Sequence, residues 1–174
     1  MSLMQRLDAA ELGLCLRFNR ASQRWLIAHS FALISRLGNG LFWYVLMLAI
    51  PLVFGWQASL VSLHMGLVGL LCLPVYRILK AGTSRTRPCH AHGGIIQSVP
   101  PLDQFSFPSG HTMHAVAFTI ILLAYLPAWG FWVLPFTLLV ALSRLILGLH
   151  YPSDVLAGAA IGAGIALVSL WVIL

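Results

Sequence analysis

Residues 143–154 hold three chemically versatile side chains close together in an apolar part of the chain. Arg144 lies inside an apolar run, and His150 and Asp154 follow it, four residues apart. Pro152 favours the first turn of a helix, so that Asp154 lies in that turn and His150 just before it. A helix N-terminus beside an arginine can bind an anion, and a histidine oriented by a carboxylate can act as a base or a nucleophile. The alternative interpretation is a short charged turn between two membrane helices.

Two further stretches carry matching groups. Lys80 and Arg87 follow one apolar run, and Ser109, Gly110 and His111 open the next. Ser109 suits the N-cap of a helix, and Gly110 allows backbone N–H groups to approach a ligand closely. Three cations, a helix N-terminus, two histidines and one aspartate together suit phosphoryl transfer, in which charge on the equatorial oxygens must be stabilised.

The spacing of these groups is that of a known family. The chain resembles the type 2 phosphatidic acid phosphatase (PAP2) and vanadium haloperoxidase superfamily in three motifs, in this order: Lys80-x6-Arg87-Pro88, Pro108-Ser109-Gly110-His111 and Ser143-Arg144-x5-His150-x3-Asp154. Each motif alone is only suggestive, whereas three in order at this spacing are specific. The resemblance covers residues 41–174.

The resemblance implies a role for each motif residue. His150 is expected to attack phosphorus and become a phosphohistidine, with Asp154 holding its other ring nitrogen. His111 is expected to protonate the leaving oxygen. The phosphate oxygens are expected to be held by the remaining motif residues, namely Lys80, Arg87, Ser109, the backbone at Gly110 and Arg144. No metal and no cofactor is expected, because the cations supply the electrostatic stabilisation that a metal would give.

The composition is that of an integral membrane protein of one domain. Of the 174 residues, 60% are hydrophobic and 8% are charged, and the mean hydropathy is +0.92. The stretches 37–76 and 104–143 carry no formal charge, and a third such stretch runs from Val155 to Leu174. A membrane span needs roughly twenty apolar residues. We therefore predict an all-α bundle of about five transmembrane helices, since the runs lack the period-two alternation of a β-barrel.

The five spans are predicted in two hairpins and a last helix. The first hairpin is Leu41–Phe54 with Leu60–Leu79, the second is Ser109–Leu126 with Trp129–Leu149, and the last helix is Ser153–Leu174. Gly158, Gly162 and Ala166 recur at four-residue spacing, which indicates close packing against another helix. This order brings Lys80–Pro108 and Leu149–Asp154 out on the same side of the membrane.

Residues 1–40 are predicted to form a separate N-terminal interfacial segment, and residues 41–174 the catalytic transmembrane domain. Met1–Asn19 is interrupted by charges and suits a helix on the membrane surface. Trp25–Leu37 is short for a crossing and fits an interfacial or re-entrant helix better. Gly38-Asn39-Gly40 is expected to end it.

Several other polar residues are weaker candidates. Arg77 and Arg85 fit cations that reach the lipid headgroups better than site residues. Cys89, His90 and His92 could suggest a metal, but no further ligands are spaced for one. Of the four acids, only Asp154 is near the motifs, which excludes a two-carboxylate hydrolase.

The net charge of +6 suits an anionic substrate or anionic headgroups. A basic surface interleaved with aromatic residues is absent, so no nucleic-acid partner is expected. The predicted activity is hydrolysis of a lipid phosphate monoester or pyrophosphate, such as phosphatidic acid, phosphatidylglycerol phosphate or a polyprenyl diphosphate. The alternatives are a lipid phosphotransferase on the same fold and a non-enzymatic anion or lipid transporter. A haloperoxidase is disfavoured by so small and apolar a chain.

Two arguments about which side of the membrane carries the site disagree. With five spans, the lysines and arginines fall on the catalytic side, and the positive-inside rule favours a cytoplasmic site. The resemblance favours the extracytoplasmic face of a bacterial inner membrane, and we follow the resemblance because several of the charges are needed for chemistry. The oligomeric state does not follow from the sequence.

Overall fold

The part of the chain described by the computed structural model, residues 3–173 with side chains from Arg6 onward, is almost entirely helical. It contains no β-strand; its one isolated β-bridge joins Thr86 to Phe105. The α-helices are, in order, α1 (Leu3–Asn19), α2 (Trp25–Arg36), α3 (Phe42–Phe54), α4 (Ser59–Thr83), α5 (Pro88–Ala91), α6 (Gly110–Tyr125), α7 (Pro127–Ile146) and α8 (Pro152–Ile173). The all-α prediction is confirmed.

Five apolar helical segments make up the bundle in the described part of the chain. Four of them, Trp25–Phe54, Trp56–Thr83, Pro127–Ile146 and Pro152–Ile173, have the length and composition of membrane spans, and Gly110–Tyr125 is shorter and also apolar. The short segment is the central helix α6, whose Ala115, Ile121 and Leu122 are fully buried by the surrounding helices. The prediction of about five spans is therefore confirmed.

The first span corrects the sequence-based prediction for Trp25–Leu37. We expected a separate interfacial helix that ends at Gly38-Asn39-Gly40. Instead, a π-helical turn over Leu37–Leu41 joins α2 to α3, and the two helices make one membrane-length segment with a kink. The kink is at Gly40, whose φ of 132° is accessible to glycine but strained for other residues. The proposed domain boundary at residue 40 stays a prediction.

Helix α8 packs directly against α6 through its small residues. A Cβ atom added at Gly158 would lie 2.5 Å from the carbonyl oxygen of Ser109, and one at Gly162 would lie 2.2 Å from that of Met113. Ala166, one helical turn further on, is fully buried. The predicted close-packing face is confirmed, and it fixes the start of α8 beside the start of α6.

Helix α1 is attached to the polar end of the bundle. Asn19 donates from its side-chain amide to the carbonyl oxygens of Ile96 and Ile146, both at 2.9 Å, and its Oδ1 accepts the N–H of Ile96 at 2.7 Å. Cys15 packs with Ile95 and Tyr151 in a small buried cluster separate from the main core. These contacts join α1 to the long connection between α4 and α6 and to the turn that follows α7.

Candidate active site

A cavity of about 640 Å³ lies where the three motifs meet. Six of the predicted site residues line it, namely Lys80, Arg87, Gly110, His111, Arg144 and His150. These residues come from α4, the connection after it, the start of α6, the end of α7 and the turn before α8. The structure thus brings together groups that are up to 70 residues apart in the sequence.

The turn that carries His150 depends on Gly148. This glycine has a φ of +71°, and a Cβ atom added to it would lie 2.6 Å from the side chain of Ile95. The backbone N–H groups of Leu149 and His150 both donate hydrogen bonds to the carbonyl oxygen of Arg144. Gly148 can adopt this left-handed conformation in a confined space, and the chain therefore turns from α7 back to the cavity.

His150 presents an unprotonated nitrogen to the cavity side of the site. Its Nε2 accepts an N–H of Arg87 at 3.1 Å, and a guanidinium can only donate. The ring proton therefore belongs on Nδ1, which faces Asp154 Oδ2 at 3.5 Å. Burial, followed by the charges of Arg144, Arg87 and Lys80, holds the pKa of His150 well below its ordinary 6.5. The ring is neutral, as a nucleophile requires.

Asp154 is fully buried and lies behind His150 rather than on the cavity wall. Its Oδ2 accepts the backbone N–H of Tyr151 at 2.8 Å, and its Oδ1 accepts an N–H of Arg85 at 2.6 Å. The 3.5 Å contact with His150 is longer than an ordinary N–H···O hydrogen bond. The carboxylate is on the correct side of the ring, and such contacts can tighten when substrate binds.

Asp103 binds the two cations at the polar end of the cavity. Lys80 Nζ donates to both of its carboxylate oxygens at 2.7 Å, and Arg87 Nη2 donates to Oδ1 at 2.7 Å. Partial burial would raise the pKa of Asp103, but the bonds and charges of Lys80 and Arg87 outweigh it and hold that pKa below 3.8. Asp103 is therefore an anion bound by two residues that were predicted to bind phosphate.

Arg144 is the third cation of the site, and its side chain is buried. It donates through Nη1 to the hydroxyl of Ser35, and its Nε lacks a partner among the residues that the structure describes. Within the same described region, no carboxylate lies within ion-pair distance of it. A buried guanidinium with donors to spare suits an anionic ligand.

The start of α6 supplies the remaining predicted residues. Gly110 and His111 line the cavity. Ser109 is at the N-cap of α6 but is fully buried, and its hydroxyl pairs with that of Thr112 at 3.0 Å instead of capping the helix. It is not among the lining residues of the cavity, so its assignment to phosphate binding stays a prediction.

Two sequence-based interpretations are wrong. Arg85 was assigned to the lipid headgroups, yet it is 2% exposed and pairs with Asp8, Glu11 and Asp154. Asp154 was taken as the only acid near the motifs, whereas all four acids of the chain, Asp103 included, contact Lys80, Arg85 or Arg87. These ion pairs cannot be predicted from any local sequence pattern. The one signal in the sequence was that acids are scarce in this membrane chain, because each buried acid needs a cationic partner.

The possible metal ligands do not assemble into a site. Among the residues that the structure describes, no group of three or more His, Cys, Asp or Glu side chains could hold a metal ion. Cys89, His90 and His92 are close in sequence, but His90 contacts Gln97 instead, at 3.2 Å.

The sequence is similar to a family model and to named phosphatases. The model of the PAP2 superfamily matches residues 58–174. The chain is 33% identical over 96 residues to a lipid A 1-phosphatase of Rhizobium johnstonii, and this match covers 53% of this chain and 39% of that protein. It is 33% identical over 112 residues to an undecaprenyl-diphosphatase of Bacillus subtilis, and this match covers 64% of this chain and 58% of that protein. The matched segments thus span less than two thirds of either relative.

The fold also has a solved counterpart. It is similar to the crystal structure of a transmembrane PAP2 type phosphatidylglycerolphosphate phosphatase from Bacillus subtilis, with a TM-score of 0.76 and 25% sequence identity. The similarity covers 97% of this chain and 91% of that one, so that it includes the N-terminal helices that lie outside the family match.

Proposed function

Because the chain belongs to the PAP2 superfamily, we propose that it is an integral membrane phosphatase that hydrolyses a phosphate monoester or diphosphate on a lipid. The substrates that fit are phosphatidic acid, phosphatidylglycerol phosphate and a polyprenyl diphosphate. The relatives support a lipid substrate, since their names refer to lipid A and undecaprenyl diphosphate.

The observation that carries the proposal is the division of the cavity into a cationic end and an apolar end. Lys80, Arg87 and Arg144 form the cationic end, and Leu70 and Leu73 of α4 line the apolar part. Leu70 is 64% exposed on the outside of a membrane-length helix. A phosphate group at the cations can therefore remain attached to a hydrocarbon chain that extends toward lipid.

The proposed reaction has two displacements at phosphorus. In the first, Nε2 of His150 attacks the terminal phosphorus and a P–N bond forms. The bond from that phosphorus to the leaving oxygen, which belongs to the lipid alcohol or to the lipid monophosphate, breaks while His111 donates a proton to that oxygen. In the second, water attacks phosphorus with His111 as base, the P–N bond breaks, and orthophosphate is released. Lys80, Arg87 and Arg144 stabilise the equatorial oxygens, and we propose that no metal or cofactor takes part.

Two sets of hydrogen bonds in the site must be replaced by hydrogen bonds to the substrate before this reaction can occur. Arg87 donates to the nitrogen that is to attack, and Asp103 accepts from Lys80 and Arg87. A phosphate group offers oxygens to the same donors, so that it can take over the N–H groups of Arg87 and release the lone pair of His150. The proposal therefore includes displacement of Asp103 by the substrate.

The experiment is orthophosphate release by the purified protein in detergent with excess EDTA, on the three lipid substrates and with His150→Ala as control. We expect release that survives chelation and is inhibited by vanadate, which can adopt the trigonal-bipyramidal geometry. Label transferred to an acceptor lipid would indicate a phosphotransferase instead. Absence of turnover on every substrate would contradict the proposal and favour a transporter.

We propose that the protein lies in a bacterial inner membrane, in line with the bacterial source of these two relatives, and that its catalytic face is extracytoplasmic. The test is a cysteine introduced at the exposed Gln104 in a Cys89→Ser background. It should react with a membrane-impermeant thiol reagent in cells whose outer layers have been made permeable. Reaction only after lysis of the inner membrane would place the site in the cytoplasm.

A further inference from the structure

Arg85 belongs to a charged cluster that lies beside the cavity but does not line it. Its side chain is 1% exposed. The guanidinium carbon lies 4.0 Å from the ring centroid of Tyr151, the residue after His150. Arg85 therefore cannot touch a substrate in the cavity, although it contacts the turn that carries the proposed nucleophile.

The guanidinium joins that turn to helix α1. Its Nη1 donates to Asp154 Oδ1 at 2.6 Å and to the hydroxyl of Ser153 at 2.7 Å. On its other edges, Nε donates to Asp8 at 2.9 Å and Nη2 donates to Glu11 at 2.9 Å. One buried arginine thus links two acids near the start of the chain to the carboxylate behind His150.

Glu11 makes a second, independent contact with the same turn. Its Oε1 accepts the backbone N–H of Ser153 at 2.9 Å, and its Oε2 accepts the Ser153 hydroxyl at 2.7 Å. The backbone N–H groups in the first turn of a helix have no partner within the helix, and a carboxylate there is favourable. Glu11 therefore caps the first turn of α8 from a helix more than 130 residues earlier in the chain.

The charges explain why two acids accompany Arg85. If Asp154 were the only carboxylate near Arg85, the guanidinium would draw Asp154 away from the histidine and hold it. Asp8 and Glu11 share that positive charge, which leaves Asp154 Oδ2 turned toward Tyr151 N–H and His150. The cluster thus contacts Asp154 through Oδ1, whereas Oδ2 is the oxygen that faces the ring.

We propose that Arg85, held by Asp8 and Glu11 of α1, is a positioning residue that acts through Asp154 on the orientation of His150. Asp8 and Glu11 then support the position of the nucleophile, although α1 lies outside the family match at residues 58–174. This inference rests on the proposed function, because it assigns the cluster to the nucleophile of that reaction.

The test is kinetic, with Glu11→Gln as the main variant and Arg85→Lys as the second. We expect kcat to fall about ten- to a hundredfold, by analogy with the loss of a side chain that orients a metal-bound histidine. KM and the vanadate dissociation constant should change much less than kcat, because the cavity cations are untouched. The matched control is Arg17→Gln, which removes an exposed charge from the same helix.

A double-mutant cycle separates positioning from a general effect on folding. If Glu11 acts through Asp154, Glu11→Gln should cost less than about twofold in an Asp154→Asn background. Equal losses in both backgrounds would overturn the inference, as would a lower thermal midpoint with normal kcat in the folded fraction. Absence of turnover by the wild-type protein is a different result: it would overturn the proposed function, and this inference with it.

Discussion

Lys80 and Asp103 form a two-oxygen ion pair at the cationic end of the cavity, with Lys80 Nζ 2.7 Å from both carboxylate oxygens. The Asp103 side chain is 40% exposed, whereas that of Lys80 is 8% exposed. The anion is therefore the partner with access to solvent, and the cation is fixed in the wall. We propose that this exposed carboxylate on two buried cations occupies the position of the substrate phosphate.

This relationship predicts that Asp103→Asn binds vanadate more tightly than the wild type. The substitution removes a negative charge that competes with the ligand for Lys80 and Arg87. We expect the inhibition constant to fall about tenfold, equivalent to about 1.4 kcal/mol. Gln104→Ala, at the exposed next residue, is the control. Weaker vanadate binding in Asp103→Asn would mean that the carboxylate positions Lys80 and Arg87 for phosphate instead of competing with it.

Arg144→Lys should be severely impaired although the positive charge is kept. Arginine presents a planar fork that can bind two phosphate oxygens, whereas lysine offers a point charge. Arg144 is also buried and held by Ser35, so that its orientation is fixed. We expect kcat/KM to fall at least about a hundredfold, equivalent to about 2.8 kcal/mol. Near-normal kcat/KM would show that Arg144 provides only a general positive potential.

The role proposed for His111 predicts a dependence on the leaving group. General acid catalysis contributes roughly a hundred- to ten-thousandfold where the departing oxygen needs a proton. His111→Ala should therefore lose most activity on an alkyl phosphate, less on a lipid diphosphate and least on an aryl phosphate with an acidic phenol. The measurement is kcat/KM on the three substrate types, after folding has been checked. An equal loss on all three would mean that His111 binds phosphate without donating a proton.

The motif residues were predictable from the sequence because a charged side chain in a membrane span is costly and needs a reason. Lys80, Arg87, Arg144 and the two histidines stand out against long apolar runs, and the structure brings all of them to one cavity. The helical hairpins were predictable for the same reason, since the uncharged runs have the length of two spans each.

The Arg85 cluster and the Asp103 ion pairs were not predictable, because the contacts depend on the packed fold. Arg85 is 77 residues from Asp8 and 69 from Asp154. Gly40 posed a different problem, since a glycine with positive φ occurs both where helices end and where they kink. The structure shows that the segment continues past the break through a π-helical turn, beside which Gly38 packs closely against Val140.

The contact between α6 and α8 predicts opposite results for two Gly→Ala changes in the same helix. Gly158→Ala places a methyl group against the Ser109 carbonyl oxygen, so α8 must move away from α6. Overpacking of this kind costs about 1–3 kcal/mol, and it should lower both the thermal midpoint and kcat. Gly164→Ala meets nothing within 4 Å and should be neutral or slightly stabilising. Equal behaviour of the two variants would show that the close contact is absent.

The proposed reaction requires that His150 becomes phosphorylated during turnover. The direct measurement is to quench the reaction of a phosphorus-labelled lipid substrate in base, in which phosphohistidine survives, and to locate the label by peptide mapping. We expect an acid-labile label on the peptide that contains His150 and none in His150→Ala. Label on another residue would contradict the assignment of His150 as nucleophile, as would an active enzyme that forms no covalent phosphate under conditions that trap other phosphohistidines.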